Sequence, residues 1–475
     1  MTPALSVRHA LDDLSTRTPE RVHRHSTPTT TDAVAADFAV RFGGVPATSH
    51  SRSEDVALYS GVDDSAHPVL LGLYGDERRV RDWLPGLPER ANPVTARQLL
   101  GAARAPILVT DPPCAQTDAT AGGLGALPVL CTTPRDAGPF LTAGLLCAHV
   151  PEPDGPHEIA ASVHRMLVLD DRRLTLWMVP GRQLRAVYEA TVSRSERLPI
   201  TINIGAPPAA MIASALSSRF LPPGTAKLAM AGALAGAPLT LARATSQPAA
   251  ALAESEIVVE GYLDGTTADE CRSGAPTVSL PEFLGYDGSA RTALPVITVT
   301  AITTRKSALY QAVIGPGREQ SVILGMAGAL SVALSEPDRL LVRDLHLSPA
   351  GGGMLLLTIS VDKRGPDCDR RLGPIARRVF AAHPFVKLIV FTDEDVDIGS
   401  PEDVLWAVTT RANLGTDTTT EEGFTPLGVD PSQSAAWAAE RGPGATGRSW
   451  IDATVPFQLR PAVQRSFPSL PGGAR

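Results

Sequence analysis

Short apolar runs alternate with amphipathic segments over the last third of this 475-residue chain, and that alternation limits the fold more than any other feature. The runs RLLVRDLHL, GGMLLLTISV and VKLIVFTDEDVDI have the length and apolar content of buried strands. The segments RRLGPIARRVFAAHP and SPEDVLWAVTTR have the spacing of helices. Strands that alternate with helices predict an α/β domain.

The centre of the chain, from 161 to 260, has a different pattern of short strands and turns. SVHRMLVLDD and RLTLWMVPG meet at Asp-Asp-Arg-Arg, which predicts a hairpin. Residues 5 to about 45 predict helix interrupted by a polar stretch. The segment after 413, rich in Gly, Pro, Ser and Thr, predicts irregular structure. The expected architecture is an α/β start, a β-rich centre and an α/β end.

Charge and composition exclude several classes of protein. A net charge of -7 and a pI of about 5.8 argue against nucleic-acid binding. No apolar run reaches the roughly 18 residues of a membrane span. The N-terminus has mixed charge and no signal-peptide core, and the five cysteines show no CxxC spacing. We expect a cytoplasmic protein without a disulfide framework or a zinc site.

Local motifs on their own define no reaction. The sequence has no GxGxxG, GxxxxGK[ST] or GxSxG motif. GAPPAAMIAS and GRQLR place glycine and arginine beside strand ends, where either could bind a phosphate or simply form a turn. The acids of DEDVDIGSPEDV could hold a cation, but helix capping by Ser400 explains the second half better. His157 and His164 are predicted as turn or surface residues.

Glu282 is a lone carboxylate in SLPEFLGYDG, between a proline and a run of apolar and glycine residues. It is either an exposed loop charge or an acid placed in a pocket. An apolar setting raises the pKa of a carboxyl group and suits it to proton transfer.

Many collinear segments together resemble the UbiD family of decarboxylases, which use prenylated FMN. The likeness runs from about residue 5 to 457. Its main segments are PRDAGPFLTAGLL, SVHRMLVLDDRRLTLWMVPGRQLRAVYE, LPITINIGAPPAAMIAS, AMAGALAGAPLTL, AESEIVVEGYL, HPFVKLIVFTDEDVDIGSPEDVLWAVTTR and WIDATVP.

The resemblance implies three domains: an N-terminal α/β domain (1–115), a split β-barrel of flavin-reductase type that holds the cofactor (116–310), and a C-terminal α/β oligomerisation domain (311–475). It implies a carboxy-lyase that removes CO2 from an aromatic or α,β-unsaturated carboxylic acid. A flavin prenyltransferase would supply the cofactor. A homodimer is expected, and the divergence of the chain suggests secondary metabolism.

The resemblance also implies site residues. The family's arginine falls on Arg165, which would hold the substrate carboxylate with its guanidinium fork. The family's proton-donating acid falls on Glu282. The residues expected at the cofactor are Ser162, Val163, His164, Arg165, Arg182, Gln183, Lys227 and Lys387.

The family's metal ligands are replaced here. Its asparagine, histidine and glutamate fall on Ala160, Gln183 and Lys227, none of which is a good ligand for a divalent ion. The sequence therefore predicts that the divalent metal is absent. Either Lys227 supplies the positive charge that the metal gives in the family, or the pocket has lost prenylated FMN.

The position of the family's other catalytic glutamate is open. Spacing places it at Thr277, but the segment between Glu260 and Glu282 is longer than in the family, and Glu270 is the alternative. Three functions follow: a flavin-dependent decarboxylase, a UbiD-fold enzyme with other chemistry, or a non-catalytic homologue. Arg165 and Glu282 favour an enzyme.

Overall fold

The structure is a computed structural model that describes residues 5–43, 54–149, 158–271, 277–282, 284–315, 317–441 and 446–466. It divides into two compact units. One comprises Met1–Leu87 with Leu99–Ile323, and the other Pro88–Gln98 with Leu324–Arg475. The domain boundaries that the sequence predicted, at 115/116 and 310/311, are not tested by this division and stay predictions.

The helices of the described residues are α1 Val7–Arg17, α2 Thr31–Phe38, α3 Glu77–Trp83, α4 Pro93–Gly101, α5 Gln183–Val192, α6 Pro208–Ser214, α7 Lys227–Ala235, α8 Arg318–Ser335, α9 Leu372–Ala382, α10 Pro401–Arg411 and α11 Ala435–Arg441. Their starts show ordinary capping: Asp76 accepts the backbone N–H groups of Arg78 and Arg79 before α3. Ser400 accepts the N–H of Asp403 before α10, as predicted. No helix in the described part of the chain combines the length and hydrophobicity of a membrane span.

The strands of the first unit are β1 Val22–His25, β2 Val56–Tyr59, β3 Val69–Leu71, β4 Ile107–Leu108, β5 Thr117–Asp118, β6 Phe140–His149, β7 Ile159–Asp170, β8 Arg173–Thr175, β9 Leu198–Ile204, β10 Thr240–Arg243, β11 Ala250–Leu252, β12 Ile257–Ala268, β13 Val278–Pro281, β14 Asp287–Ser289, β15 Leu294–Thr304 and β16 Tyr310–Gln311. Those of the second are β17 Val342–Leu347, β18 Leu356–Val361, β19 Leu388–Asp393, β20 Thr418–Glu421 and β21 Arg448–Ala453.

Six strands of the first unit form a closed barrel. They follow the order β12–β9–β6–β7–β8–β15, and the pairing of β15 with β12 closes the ring. Alternate residues of each strand point inward. Examples from the buried core are Leu146 on β6, Met166 on β7, Ile202 on β9 and Ile297 on β15. The predicted α/β fold class with a central barrel is confirmed.

One prediction about elements was wrong, and one strand was not predicted. The segment after 413, expected to be irregular, contains β20, α11 and β21, and β21 pairs in parallel with β19. The polar stretch near the N-terminus contains β1, which pairs in parallel with β2. In both cases the partner strand, and not local propensity, determines the structure.

At least three acids of the stretch DEDVDIGSPEDV pair with arginines of the second unit. Arg411 donates to Asp393 at 3.0 Å and to Asp395 at 2.5 Å, and Arg465 pairs with Asp403 at 2.5 Å. These arginines supply positive charge that a bound cation would otherwise have given to the acids.

Candidate active site

Arg165 lies in the middle of β7, on the strand face opposite the barrel core. Residues 160, 166 and 168 of β7 belong to the buried core of the barrel, so the odd-numbered residues face away from it. Leu167, two residues from Arg165, packs with Phe140 and Leu280 in a separate cluster. Because Leu280 belongs to β13, this apolar contact brings the β13–β14 hairpin over the outer face of β7.

The hairpin positions Glu282 directly after β13. The N–H of Glu282 donates to the carbonyl of Tyr286 at 2.8 Å, which closes the turn. Gly285 has φ +84°, a left-handed conformation that favours glycine. A Cβ at Gly288 would lie 2.7 Å from Oε1 of Glu282. Gly285 therefore permits the turn, and Gly288 leaves room for the carboxylate.

Arg165 joins two glutamates that are distant in the chain. Its Nε donates to Oε1 of Glu270 at 3.0 Å and its Nη2 to Oε2 of Glu270 at 3.1 Å, a bidentate pair. Its Nη1 donates to Oε1 of Glu282. Nη2 also reaches the carbonyl of Ser289 at 3.4 Å. The structure thus brings Arg165, Glu270 and Glu282 together.

The two glutamates of this cluster differ in exposure. The side chain of Glu270 is 1% exposed, that of Arg165 12%, and that of Glu282 32%. Burial raises the pKa of Glu270 above its ordinary value, although Arg165 acts in the opposite direction. The backbone N–H of Arg291 also donates to Oε2 of Glu270 at 3.2 Å. Glu270 is a buried anchor, whereas Glu282 has access to solvent.

The structure distinguishes Glu270 from Thr277 by contact. Thr277 is exposed, and its carbonyl accepts the N–H of Ala290 at 3.0 Å. Glu270 was the alternative position because the segment is longer than in the family, and it is the residue that pairs with Arg165. Residues 272–276 of ECRSGAP lie outside the described residues. Arg291, which no motif in the sequence marked, belongs to this site through its backbone.

Ser162 and His164 lie on the inward face of β7. Nε2 of His164 is 2.7 Å from Oγ of Ser162, and Nδ1 is 2.9 Å from the carbonyl of Trp177. Burial lowers the pKa of His164 to about 4, so the ring is neutral at pH 7. A carbonyl only accepts, so Nδ1 carries the proton and Nε2 accepts from Ser162. His164 was predicted at a strand start and instead occupies mid-strand; His157 lies outside the described residues.

Lys227 and Arg182 stand at the starts of two helices. Lys227 is the first residue of α7, and its Nζ donates to the carbonyl of Ser214 at 2.7 Å. Arg182 immediately precedes α5. Burial, together with the charge of Arg182, lowers the pKa of Lys227 to about 7. The two cations therefore lie within electrostatic range of each other.

The other predicted metal-ligand positions hold no metal-binding group. Ala160 is buried in the barrel core, and Nε2 of Gln183 donates to Oε1 of Glu158 at 2.8 Å. Among the residues that the structure describes, no group of three or more His, Cys, Asp or Glu side chains is arranged to hold a metal. The absence of a metal from the working enzyme stays a prediction.

A cavity of about 440 Å³ opens beside Gln183. Its lining includes Glu158, Arg182, Gln183, Ser218, Arg219 and Thr225. Ser218 and Arg219 were not predicted, because nothing in the spacing of the sequence connects them with Gln183.

Lys387, also predicted at the cofactor, belongs to the second unit. Its Nζ lies 2.5 Å from Oδ2 of Asp430 and donates to Oγ of Ser432 at 2.9 Å. The role of Lys387 at the cofactor stays a prediction. Val163 shares the outer face of β7 with Arg165, and its place at the cofactor also stays a prediction.

The outer face of the barrel carries a guanidinium between a buried and an accessible carboxyl group, which are the types of group that can bind an anion and transfer a proton. Comparison with known proteins identifies the family. Residues 107–319 match the UbiD 3-octaprenyl-4-hydroxybenzoate carboxy-lyase Rift-related domain, and residues 324–453 match the C-terminal domain of that carboxy-lyase. The chain belongs to the UbiD family and is a carboxy-lyase of that type.

Two curated relatives are decarboxylases. Gallate decarboxylase of Lactiplantibacillus plantarum is 32% identical over 341 residues, which cover 70% of this chain and 69% of the relative. Anhydromevalonate phosphate decarboxylase of Methanothermobacter thermautotrophicus is 29% identical over 344 residues, 72% of this chain and 75% of the relative.

Two solved structures resemble the whole chain. The apo 3,4-dihydroxybenzoic acid decarboxylase of Klebsiella pneumoniae has a TM-score of 0.87 and 29% identity, covering 97% of this chain and 96% of that one. An evolved dimeric form of the UbiD-class enzyme HmfF from Pelotomaculum thermopropionicum, in complex with prFMN, has a TM-score of 0.78 and 25% identity, covering 98% and 97%.

Proposed function

We propose that this protein is a prenylated-FMN-dependent decarboxylase of an aromatic carboxylic acid, with a hydroxylated benzoic acid as the substrate class. The observation that carries the proposal is the cluster in which Arg165 bridges a buried and an accessible glutamate. Gallate decarboxylase and 3,4-dihydroxybenzoic acid decarboxylase support the substrate class, and the HmfF complex supports the cofactor.

Arg165 holds the substrate carboxylate in this proposal. Three of its nitrogen atoms are already oriented by Glu270 and Glu282, so the guanidinium is pre-organised before substrate arrives. Nη1, which contacts only Glu282 among the described residues, has a second N–H available. Glu270 is a positioning residue that keeps the fork in place.

Glu282 supplies the proton that replaces CO2. When both glutamates are ionised, the cluster has one negative charge in excess of its single guanidinium. A substrate carboxylate adds another, which favours uptake of a proton by the cluster. Glu282 is the carboxyl group with solvent access and can be recharged after each turnover. CO2 leaves without the bonding electrons, and the ring carbon that loses it receives the proton from Glu282.

Prenylated FMN, when bound, supplies the electron sink for cleavage of the carbon–carbon bond. The residues that would hold it are Ser162, Val163, His164, Arg182, Gln183 and Lys227. The site fits the group in charge, because the cations Lys227 and Arg182 have no carboxylate partner among the described residues and the phosphate is an anion.

The test is co-expression with a flavin prenyltransferase, followed by absorbance spectroscopy and CO2 release from gallate and 3,4-dihydroxybenzoate. We expect a flavin absorbance band and release of CO2 from at least one of these acids. Flavin-loaded protein that decarboxylates no aromatic acid would contradict the substrate class. Colourless protein would contradict the cofactor and favour other chemistry in the same pocket.

We also propose a homodimer, supported by the dimeric form of HmfF. A mass measurement in solution tests it, and a monomer would contradict it.

A further inference from the structure

Lys227 and Arg182 form a positive site without a counter-ion. The only hydrogen-bond acceptor of Lys227 among the described residues is the uncharged carbonyl of Ser214. Arg182 has no carboxylate or hydrogen-bond partner for its side chain among them either. The two acids that line the neighbouring cavity are engaged elsewhere, Glu158 by Gln183 and Glu189 by Arg185. His164 is neutral and adds no negative charge.

Two helix N-termini add to this positive potential. The residues that precede α5 and α7 are Arg182 and Ala226, and neither side chain accepts a backbone N–H of its helix. The first turn of a helix has N–H groups without intrahelical acceptors and carries a partial positive charge. A lysine in the first turn of α7 gains nothing from the dipole of its own helix, and the carbonyl of Ser214, at the C-terminal end of α6, offsets its charge only in part.

We infer that Lys227 and Arg182 bind the flavin phosphate directly, as a pair of cations that takes the place of a divalent metal. The inference rests on the proposed function for the identity of the ligand. A second positive ion beside the Lys227 ammonium would be repelled, whereas a phosphate neutralises both side chains and accepts the unpaired N–H groups of the helices.

A bound anion would also stabilise the charge of the Lys227 ammonium. Without an anionic partner, burial and Arg182 lower the pKa of Lys227 to about 7. A bound phosphate favours the charged ammonium, so binding is coupled to uptake of a proton above neutral pH.

The experiment compares the Kd values of FMN and riboflavin, which differ by the phosphate, in EDTA-treated protein with and without added Mn²⁺. We expect the wild type to bind FMN more tightly than riboflavin in EDTA, with little change on adding Mn²⁺. Lys227→Met should weaken FMN about 10- to 100-fold and leave riboflavin unchanged. Lys227→Arg should restore most of the affinity.

The matched control is Lys306→Met, which removes an exposed lysine outside the site and should change neither Kd. Retained riboflavin binding shows that a variant still forms the pocket. If Lys227→Met does not fold, the exposed Arg182→Met should weaken FMN selectively.

Loss of FMN in EDTA with recovery in Mn²⁺, or an unchanged FMN-to-riboflavin ratio in Lys227→Met and Arg182→Met, would overturn the inference and leave the decarboxylase proposal intact. A wild type that binds neither flavin would overturn both.

Discussion

The Arg165 cluster and the Lys227–Arg182 pair use charge in opposite ways within one unit of the molecule. Around Arg165, two carboxyl groups surround one guanidinium, and every charged group has a partner. Around Lys227, two cations meet without a carboxylate among the described residues. The first region balances its guanidinium with its own carboxyl groups, whereas the cations of the second, as we propose, bind an anion from outside. The difference suggests proton chemistry at one region and cofactor binding at the other.

Arg165→Lys tests whether the first region depends on the geometry of the guanidinium rather than on its charge. Lysine keeps the charge but cannot hold Glu270 in a bidentate pair while contacting Glu282 and a substrate carboxylate. We expect kcat/KM to fall at least about 100-fold. The bound-flavin content should stay at the wild-type level, since the change lies outside the cation pair. A variant within threefold of the wild type would show that charge alone is sufficient.

Glu270→Gln tests the buried anchor, and Thr277→Ala is its matched control. Removing one partner of a buried ion pair costs about 3–5 kcal/mol, reduced here because Arg165 keeps Glu282. We expect denaturant unfolding to show a loss of about 1–3 kcal/mol and kcat to fall more than tenfold. Thr277→Ala should change neither quantity. The opposite pattern would place the family's glutamate at Thr277.

The pH dependence of FMN binding tests the second region. Because the pKa of Lys227 is about 7 in the ligand-free protein, its ammonium loses a proton above that pH, and the anion site weakens. We expect the Kd of FMN to rise between pH 7 and 9, by at most about tenfold per pH unit. Lys227→Arg should show a nearly flat profile, since arginine stays charged. A flat wild-type profile would contradict this assignment.

A third charged region contains two buried acids, Glu54 and Glu319. Burial raises the pKa of Glu54 to about 7 and that of Glu319 to about 8. The nearby buried Arg79 donates to backbone carbonyls, including those of Leu73 and Glu54. These two carboxyl groups therefore bind more protons in the folded protein than in the unfolded chain between about pH 4.5 and 8, and their contribution to stability falls as pH rises through that window.

Glu54→Gln should remove part of this pH dependence. Oε1 of Glu54 accepts the N–H of Arg318 at 2.6 Å, and Oε2 has no partner among the described residues, so the amide fits. We expect the free energies of unfolding of variant and wild type to agree near pH 4.5. The variant should be more stable by about 1–3 kcal/mol at pH 8. Parallel profiles would contradict the raised pKa.

The sequence predicted some members of the site better than others, for physical reasons. Arg165 and Glu282 lie in segments whose spacing the family resemblance preserves. Glu270 stayed ambiguous, because a longer loop does not determine which side chain folds back onto β7. The bond between Ser162 and His164 follows from their spacing, since alternate residues of a strand share a face. Whether Lys227 and Arg182 have carboxylate partners depends on which acids are nearby in space, and the sequence does not show this.

The fold, like the site, was predicted better in some regions than in others. The alternating pattern at the C-terminal end and the β-rich centre were sufficient to predict an α/β protein with a barrel. β21 was missed because its Gly- and Ser-rich surroundings resemble a loop, and only its pairing with β19 makes it a strand.

The most direct test of the proposed chemistry is the rate of decarboxylation per bound flavin in Glu282→Gln, measured on flavin-loaded protein beside the wild type. The amide keeps the size and a hydrogen bond to Arg165 but cannot donate a carboxylic proton. We predict a loss of about 10²- to 10⁴-fold with unchanged flavin content. A rate within threefold of the wild type at equal flavin content would contradict the assignment of Glu282 as the proton donor.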